Sequence, residues 1–333
     1  MRKIKIAQIG TSINSHGNDI FNSLRRQPDI FEIVGYHFPE NEREKFPDRM
    51  CAFEEYKELS LEEILINPEI DAVTVETEEI YLTKYAQMVA DSKKHMHMEK
   101  PGSLSLPDFE KLIDTVKKNK TVFHTGYMYR YNPYIMELKE QIKNGELGDI
   151  ISVEAQMNCI HPEAVRDWLK AFPGGMMFFL GCHLIDLIYS IQGAPKNVIP
   201  FNKCTGVDNV KGEDFGMAVF EYENGVSFAK ASAMEFCGFE RRQLVVSGTK
   251  KTVELRPLEW YVGSDITTTK RTATERGWKE AGIVETSEMF NRYDSMMQSF
   301  AAMVRGEKQN TFTPEYELNL YRHLLVACGV KID

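Results

Sequence analysis

The stretch Lys3-Ile4-Lys5-Ile6-Ala7-Gln8-Ile9-Gly10-Thr11-Ser12-Ile13-Asn14-Ser15-His16-Gly17 decides the fold. Residues 3–9 alternate as a strand does, and Gly10 ends the run. Residues 19–26 have helical spacing, and Pro28 closes that helix. A strand ending in glycine and feeding a helix opens a β-α-β unit. In its dinucleotide-binding form the turn reads Gly-x-Gly-x-x-Gly. Here Gly10 keeps the first glycine, while Ser12 and Ser15 replace the other two. A serine hydroxyl can donate to a phosphate at a helix start. The same turn is equally consistent with a plain strand-to-helix connection.

Working outward, the alternation continues. Residues 31–37, 70–75, 95–98 and 121–125 read as strands. Residues 61–65, 81–91 and 107–118 read as helices between them. Repeated β-α-β units predict a parallel sheet with helices on both faces, so residues 1–126 are expected to form an α/β Rossmann domain. After Tyr127 the pattern changes. A helix follows Pro133 and stops at Gly145. Strand-like runs cover 150–157, 197–205, 215–222, 226–234, 243–247 and 252–255, with a helix over 182–191 among them. Helices over 289–305 and 315–330 finish the chain, and the Thr-rich stretch 265–275 reads as a loop or weak strand. Residues 127–333 are therefore expected to form an α+β domain around a large, mostly antiparallel open sheet.

The 333 residues suit about two domains, since a domain averages ~150. A net charge of −9 excludes binding to nucleic acid by phosphate neutralisation. No apolar run reaches the ~20 residues of a membrane helix. The first residues lack the pattern of a signal peptide, so no membrane is expected and the location is cytoplasmic. The six cysteines are scattered without a Cys-x-x-Cys pair, and they read as reduced, mostly core residues. His95, His97, His124 and His161 lack paired metal spacing and read as structural or solvated, so no metal is expected.

Three further motifs bear on chemistry. The second strand runs into Tyr36-His37-Phe38-Pro39-Glu40, with no acid where a ribose hydroxyl would be gripped. Arg43 and Lys45 nearby read as a solvated helix face. The strand 95–98 is followed by Glu99-Lys100-Pro101, at the carboxyl end where ligands bind in open α/β sheets. A lysine there can donate to a substrate oxygen and, if partly buried, move a proton. A cis Lys100–Pro101 bond is compatible with this loop. Finally, Gly181-Cys182-His183-Leu184-Ile185-Asp186 sets His183 at a helix start, one turn before Asp186, which can orient it.

In this order the motifs resemble the Gfo/Idh/MocA family, named for glucose–fructose oxidoreductase, inositol dehydrogenase and a rhizopine-catabolism protein. The resemblance covers nearly the whole chain. It is carried by Glu99-Lys100-Pro101, Gly126-Tyr127-Met128-Tyr129-Arg130-Tyr131-Asn132-Pro133, Gly145-Glu146-Leu147-Gly148 and the Gly181 to Asp186 segment. It implies hydride transfer between NAD or NADP and a sugar, polyol or similar carbinol. Lys100 and His183 would be catalytic, in a cleft between the domains. Tyr127, Arg130 and Asp186 would line the substrate. Gly10, Ser12, Ile13, Thr77, Glu99 and Lys100 would face the cofactor. A homodimer or homotetramer is also implied.

The chain departs from the family pattern on both sides. Phe179 stands where the family has an acid four residues before the histidine. Thr77-Glu78-Glu79 replaces a Thr-Pro-Asn-like turn and puts negative charge near an anionic cofactor. These departures keep two other readings open. One is a non-catalytic relative acting as a sugar-ligand sensor or partner subunit, and the other is non-redox chemistry on a sugar.

Overall fold

The computed structural model describes residues 2–275, 277, 279 and 281–332; residues 1 and 333, the outer limits of the expected domains, lie outside them. The first elements are β1 (Ile4–Ile9), α1 (Gly17–Arg26), β2 (Phe31–His37), α2 (Glu42–Lys45), α3 (Leu61–Ile66), β3 (Ala72–Val75), α4 (Leu82–Asp91), β4 (His95–Met98), α5 (Leu106–Asn119) and β5 (Phe123–Thr125). Among the described residues they form a five-stranded sheet, ordered β2-β1-β3-β4-β5, with every pairing parallel. The sheet is buried, and all four residues of β3 are inaccessible, as a sheet covered on both faces requires. This is the expected Rossmann domain.

The chain continues with α6 (Pro133–Lys143), β6 (Ile150–Asn158), α7 (Glu163–Trp168), α8 (Cys182–Gln192), β7 (Asn197–Pro200), β8 (Phe215–Tyr222), β9 (Gly225–Ser232), β10 (Gln243–Gly248) and β11 (Thr252–Leu255). Then come β12 (Trp260–Val262), β13 (Asp265–Thr267), β14 (Thr269–Ala273), β15 (Ile283–Thr286), α9 (Asp294–Val304) and α10 (Pro314–Ala327). An eight-stranded sheet is ordered β15-β14-β11-β10-β6-β9-β8-β7, antiparallel except for the parallel pair β6 and β9. The expected α+β architecture is present. The stretch 265–275 takes the strand alternative: it holds β13 and β14, and β14 joins the main sheet beside β11. Its Thr-rich composition suits a half-buried pleated surface.

Two compact units divide the chain: Met1–Met128 with Tyr293–Asn319, and Tyr129–Arg292 with Leu320–Asp333. The sequence reading keeps everything after residue 126 together, whereas the structure returns Tyr293–Asn319 to the first unit. Within that unit Asp294 of α9 accepts hydrogen bonds from Ser23 (2.7 Å) and Arg26 (2.7 Å) of α1. Phe300 of α9 stacks on His124 of β5 at 5.3 Å. Helical periodicity marks which face of α9 is apolar but not which sheet receives it.

Cys182 and Cys328 are buried, while Cys51, Cys204 and Cys237 are exposed; all six are free. The expectation of core cysteines therefore holds for Cys182 on α8 and Cys328 just after α10. Among the described residues no helix is long and apolar enough to cross a membrane.

Candidate functional site

β1 ends on Gly10, whose φ is +86°, and a Cβ at that position would run into the backbone of Thr77 just beyond β3. Only glycine allows both the conformation and the approach. The turn then closes on itself through Ser15. Its hydroxyl donates to the Glu76 carbonyl at 3.0 Å and accepts from the N–H groups of Ser12 (3.1 Å) and Gly17 (3.2 Å). The Ser12 hydroxyl accepts from the Asn14 N–H. Ile13 stands at the tip, 63% exposed. The serines that replace glycines thus hold the turn's own backbone.

Sequence reasoning missed two residues here. Glu42, fully buried at the start of the four-residue α2, accepts from the Thr11 N–H (2.8 Å), the Thr77 hydroxyl (2.5 Å) and the Glu78 N–H (3.2 Å). Burial raises its pKa to about 7 against the pull of those bonds. Arg49 donates to the Thr11 hydroxyl (3.2 Å) and the Ser15 carbonyl (3.3 Å). No periodicity marks either residue, because α2 and the 3-10 turn Pro47–Ala52 that holds Arg49 are too short to show one. Phe38 occupies the end of β2 because it packs into an aromatic cluster with Tyr36 (4.7 Å) and Phe53 (4.9 Å). The Ser15 hydroxyl already takes the Ser12 and Gly17 amides, and a group reaching the Thr11 amide meets the carboxyl of Glu42.

The carboxyl ends of β3 and β4 carry the charged residues of this unit. Lys100 is 1% exposed, its Nζ is 3.6 Å from Glu99 Oε1, and its bond to Pro101 is cis. The other Glu99 oxygen lies 3.1 Å from His16 Nδ1. Burial pushes Glu99 upward, but His16 and Lys100 outweigh it and hold the carboxyl below its ordinary range. Glu76 goes the other way: burial, then the charge of Glu99, pushes it well up. Glu79 is raised to about 7, chiefly by burial. Glu78 is paired with Lys45 at 2.7 Å. The negative charge expected from Glu78 and Glu79 is thus damped by an ion pair and by partial protonation. Thr77 is fully buried, and the Tyr127 hydroxyl points to the Pro101 carbonyl at 3.5 Å. His97 and His124 share an Nδ1···Nδ1 contact of 2.7 Å inside the core, the structural role expected of them.

In the second unit, His183 is 2% exposed on α8, its ring edge-on to Tyr129 at 5.5 Å. Gly181 does not open this helix. A π-helical turn, Met177–Gly181, runs straight into α8. A Cβ at Gly181 would meet the Met177 side chain, whose flexible thioether end would have to move. His183 therefore sits inside a continuous helical path, next to a π-turn of the kind often found at functional positions. The carboxylate of Asp186 is gripped by Arg130, through Nε at 3.0 Å and Nη2 at 2.7 Å, with both side chains 1–2% exposed. Phe179 packs its ring against Trp168 at 5.1 Å, where the resemblance implies an acid.

The first unit is a parallel sheet with a glycine turn and a buried lysine at its carboxyl ends. The second is a mixed sheet carrying a buried histidine on its inner helix. Residues 4–127 match the family described as oxidoreductase family, NAD-binding Rossmann fold, and residues 135–254 match the GFO/IDH/MocA C-terminal domain. The chain belongs to the Gfo/Idh/MocA family of oxidoreductases. It is 25% identical to myo-inositol 2-dehydrogenase of Thermotoga maritima, over 56% of this chain and 57% of that protein. The chain spans little more than half the length of the curated relatives it matches first. Its fold is that of aldose-aldose oxidoreductase from Caulobacter crescentus, crystallised with glycerol, at a TM-score of 0.80 and 18% identity, covering 98% of both chains. It is also that of levoglucosan dehydrogenase, solved with NADH and levoglucosan, at a TM-score of 0.79 and 14% identity, again covering 98% of each.

Proposed function

We propose that this chain is an NAD(P)-dependent oxidoreductase that moves hydride to or from a sugar, polyol or similar carbinol. The observation that carries the reading is the buried Glu99–Lys100 pair at the carboxyl end of β4. A lysine held out of water beside a carboxylate is fixed in place and can donate to a substrate oxygen. His183 is the second substrate group, a base for the reacting hydroxyl, with Tyr129 fixing its ring. Tyr127, Arg130 and Asp186 shape the substrate surroundings, and Gly10, Ser12, Ile13, Thr77 and Glu99 face the cofactor. The nicotinamide supplies the hydride chemistry. Relatives named for inositol and levoglucosan oxidation support the substrate class. The reading includes a homodimer or homotetramer.

Titration of NADH and NADPH against protein fluorescence tests it, with saturable binding of at least one expected. No binding of either, reduced or oxidised, at millimolar concentration would sink the reading. In an active preparation Lys100→Ala lowers kcat/KM by about 10²–10⁴-fold, the usual size of a lost proton-transfer group.

A sugar-binding relative without hydride transfer is the second reading. It is favoured by Glu42, which already takes the Thr11 amide that a phosphate would use. Polyol turnover that vanishes in Lys100→Ala would dismiss it.

A further inference from the structure

The turn after β1 brings one more titratable side chain to the Glu99–Lys100 pair, and the reading above gives it no role. His16 is the last residue before α1. Its Nδ1 lies 3.1 Å from Oε2 of Glu99, whose Oε1 lies 3.6 Å from Lys100 Nζ. One carboxylate therefore bridges an imidazole and a lysine amine. The three side chains differ in their access to water. Those of Lys100 and Glu99 are each 1% exposed, while that of His16 keeps 20%. The Tyr293 ring packs on the His16 ring at 5.4 Å and steadies it.

Two other ionisable groups sit close to this carboxylate. Glu76 is its neighbour at the end of β3, and His97 lies two residues earlier on β4. Both are fully buried, and His124 beyond His97 is 2% exposed. Burial, then the charge of Glu99, pushes Glu76 well up, so it already holds a proton at neutral pH. Burial lowers His97 to about 4, so it resists taking one. Glu79, which also feels the charge of Lys100, is 3% exposed and raised to about 7, chiefly by burial. A proton passed to any of these groups meets no water. Among these described neighbours of Glu99, His16 is the one that reaches solvent. A buried lysine that gives its proton to a substrate oxygen must regain one before the next turnover, and its burial keeps water away.

We propose that His16 is the relay through which Lys100 exchanges its proton with solvent, with Glu99 carrying the proton between them. In the direction of carbonyl reduction, an N–H bond of Lys100 breaks as the O–H bond of the new hydroxyl forms, while the carbon receives hydride from the reduced nicotinamide. His16 Nδ1–H then gives its proton to Glu99 Oε2. A half-turn of the carboxyl presents that proton to the neutral Lys100 amine, and His16 Nε2 takes a replacement from hydronium or a buffer acid. Oxidation runs the same path outward. Burial raises Glu99, yet His16 and Lys100 hold it low, so the proton crosses the carboxyl without resting there. This deepens the oxidoreductase reading and rests on Lys100 facing the substrate oxygen.

Proton exchange between lysine amines and water, followed by NMR on the full chain with 15N-labelled lysine and no cofactor or substrate, tests it. The Lys100 signal is assigned by its loss in Lys100→Met. Lys94 is an internal control: it is 6% exposed, and its Nζ donates to the carbonyls of Asn67 (2.6 Å) and Ile70 (3.0 Å), which relay no proton. Although more deeply buried, Lys100 should exchange about 10²-fold faster than Lys94, the low end for a positioned proton-transfer group. His16→Ala and His16→Asn should each remove that difference, and added imidazole should restore it in His16→Ala. Asparagine keeps a donor for Glu99 but passes no proton. Exchange at the wild-type rate in His16→Asn would therefore reduce His16 to a hydrogen bond and overturn the proposal, as would the wild-type rate in His16→Ala. If neither variant folds, the wild type decides, and Lys100 exchanging no faster than Lys94 overturns the relay. Slow Lys100 exchange in a chain that binds NADH or NADPH would leave the oxidoreductase reading standing without the relay. Fast, His16-dependent exchange in a chain that binds neither would do the reverse.

Discussion

Glu79, at the carboxyl end of the first sheet, is 3% exposed, and neither of its carboxyl oxygens has a hydrogen-bond partner among the described residues. Its pKa rises from 4.5 to about 7 because burial disfavours the charged form more than Lys100 favours it. Between those values the folded chain keeps a proton that the unfolded chain has lost. The stability contributed by this group is therefore complete below pH 4.5 and disappears as pH rises through 7. Glu79→Gln removes that dependence. Relative to wild type, the variant should gain up to about 3 kcal/mol between pH 4.5 and pH 8. Urea unfolding of both proteins across that range measures it. Parallel curves would show that Glu79 is ionised throughout. The comparison must be a difference, because His97, lowered to about 4 by burial, works with the opposite sign. Its neutral form stabilises the fold above pH 6.5 and that support is lost as pH falls through 4.

At the scale of elements, the Arg130–Asp186 pair joins the 3-10 turn Met128–Tyr131 to α8 inside the second unit. Contacts of 2.7–3.0 Å in a dry setting make it a fork-to-fork pair. Asp186→Asn removes the charge that this carboxylate sets against the buried guanidinium. Loss of one member of such a pair costs about 3–5 kcal/mol. Denaturant midpoints should fall accordingly, and a change under about 1 kcal/mol would mean that the pair behaves like a surface one. The same helix shows how an element can be read correctly and entered wrongly. Residues 182–191 have clear helical spacing, yet the path begins earlier, in a π-turn that ordinary 3.6-residue periodicity does not describe. Gly181 looks like a boundary in the sequence, but in the fold it is a contact point for Met177.

At the scale of the whole molecule, the eight-stranded sheet carries α8 on one face. On the other face one row of paired residues crosses five strands: Val245, Glu154, Phe228, Val219 and Ile199. Four of the five are apolar, and Val226 beside them is 52% exposed. An apolar surface of that extent is usually covered. A second copy of the chain suits it, because a two-fold axis lets one face meet itself. Light scattering at micromolar concentration should give a dimer or tetramer mass. Glu154 lies mid-row, so Phe228→Glu should shift the protein toward monomer by adding a like charge to both sides. A monomeric wild type would overturn the assembly.

Strand-helix alternation, Gly10 at the end of β1 and Glu99-Lys100-Pro101 after β4 are local signals, and they sufficed for the architecture and for the lysine. Period-2 and period-3.6 patterns follow from backbone geometry, so a chain carries them before it folds. The rest depends on burial and on partners distant in sequence. Glu42 reaches Thr11 across 31 positions, Arg242 meets Glu259 across 17, and α9 returns to a sheet formed nearly 170 residues earlier. No spacing rule encodes such meetings. Desolvation is likewise a property of the packed state: the same carboxyl group is an ordinary acid in the unfolded chain and titrates near neutrality at Glu42 and Glu79. The sequence by itself determined a Rossmann sheet, a mixed second sheet and Lys100 at a strand end. Only the tertiary structure decided which amides are already occupied, which acids burial pushes upward, and that Arg242 and Arg292 share the carboxylate of Glu259.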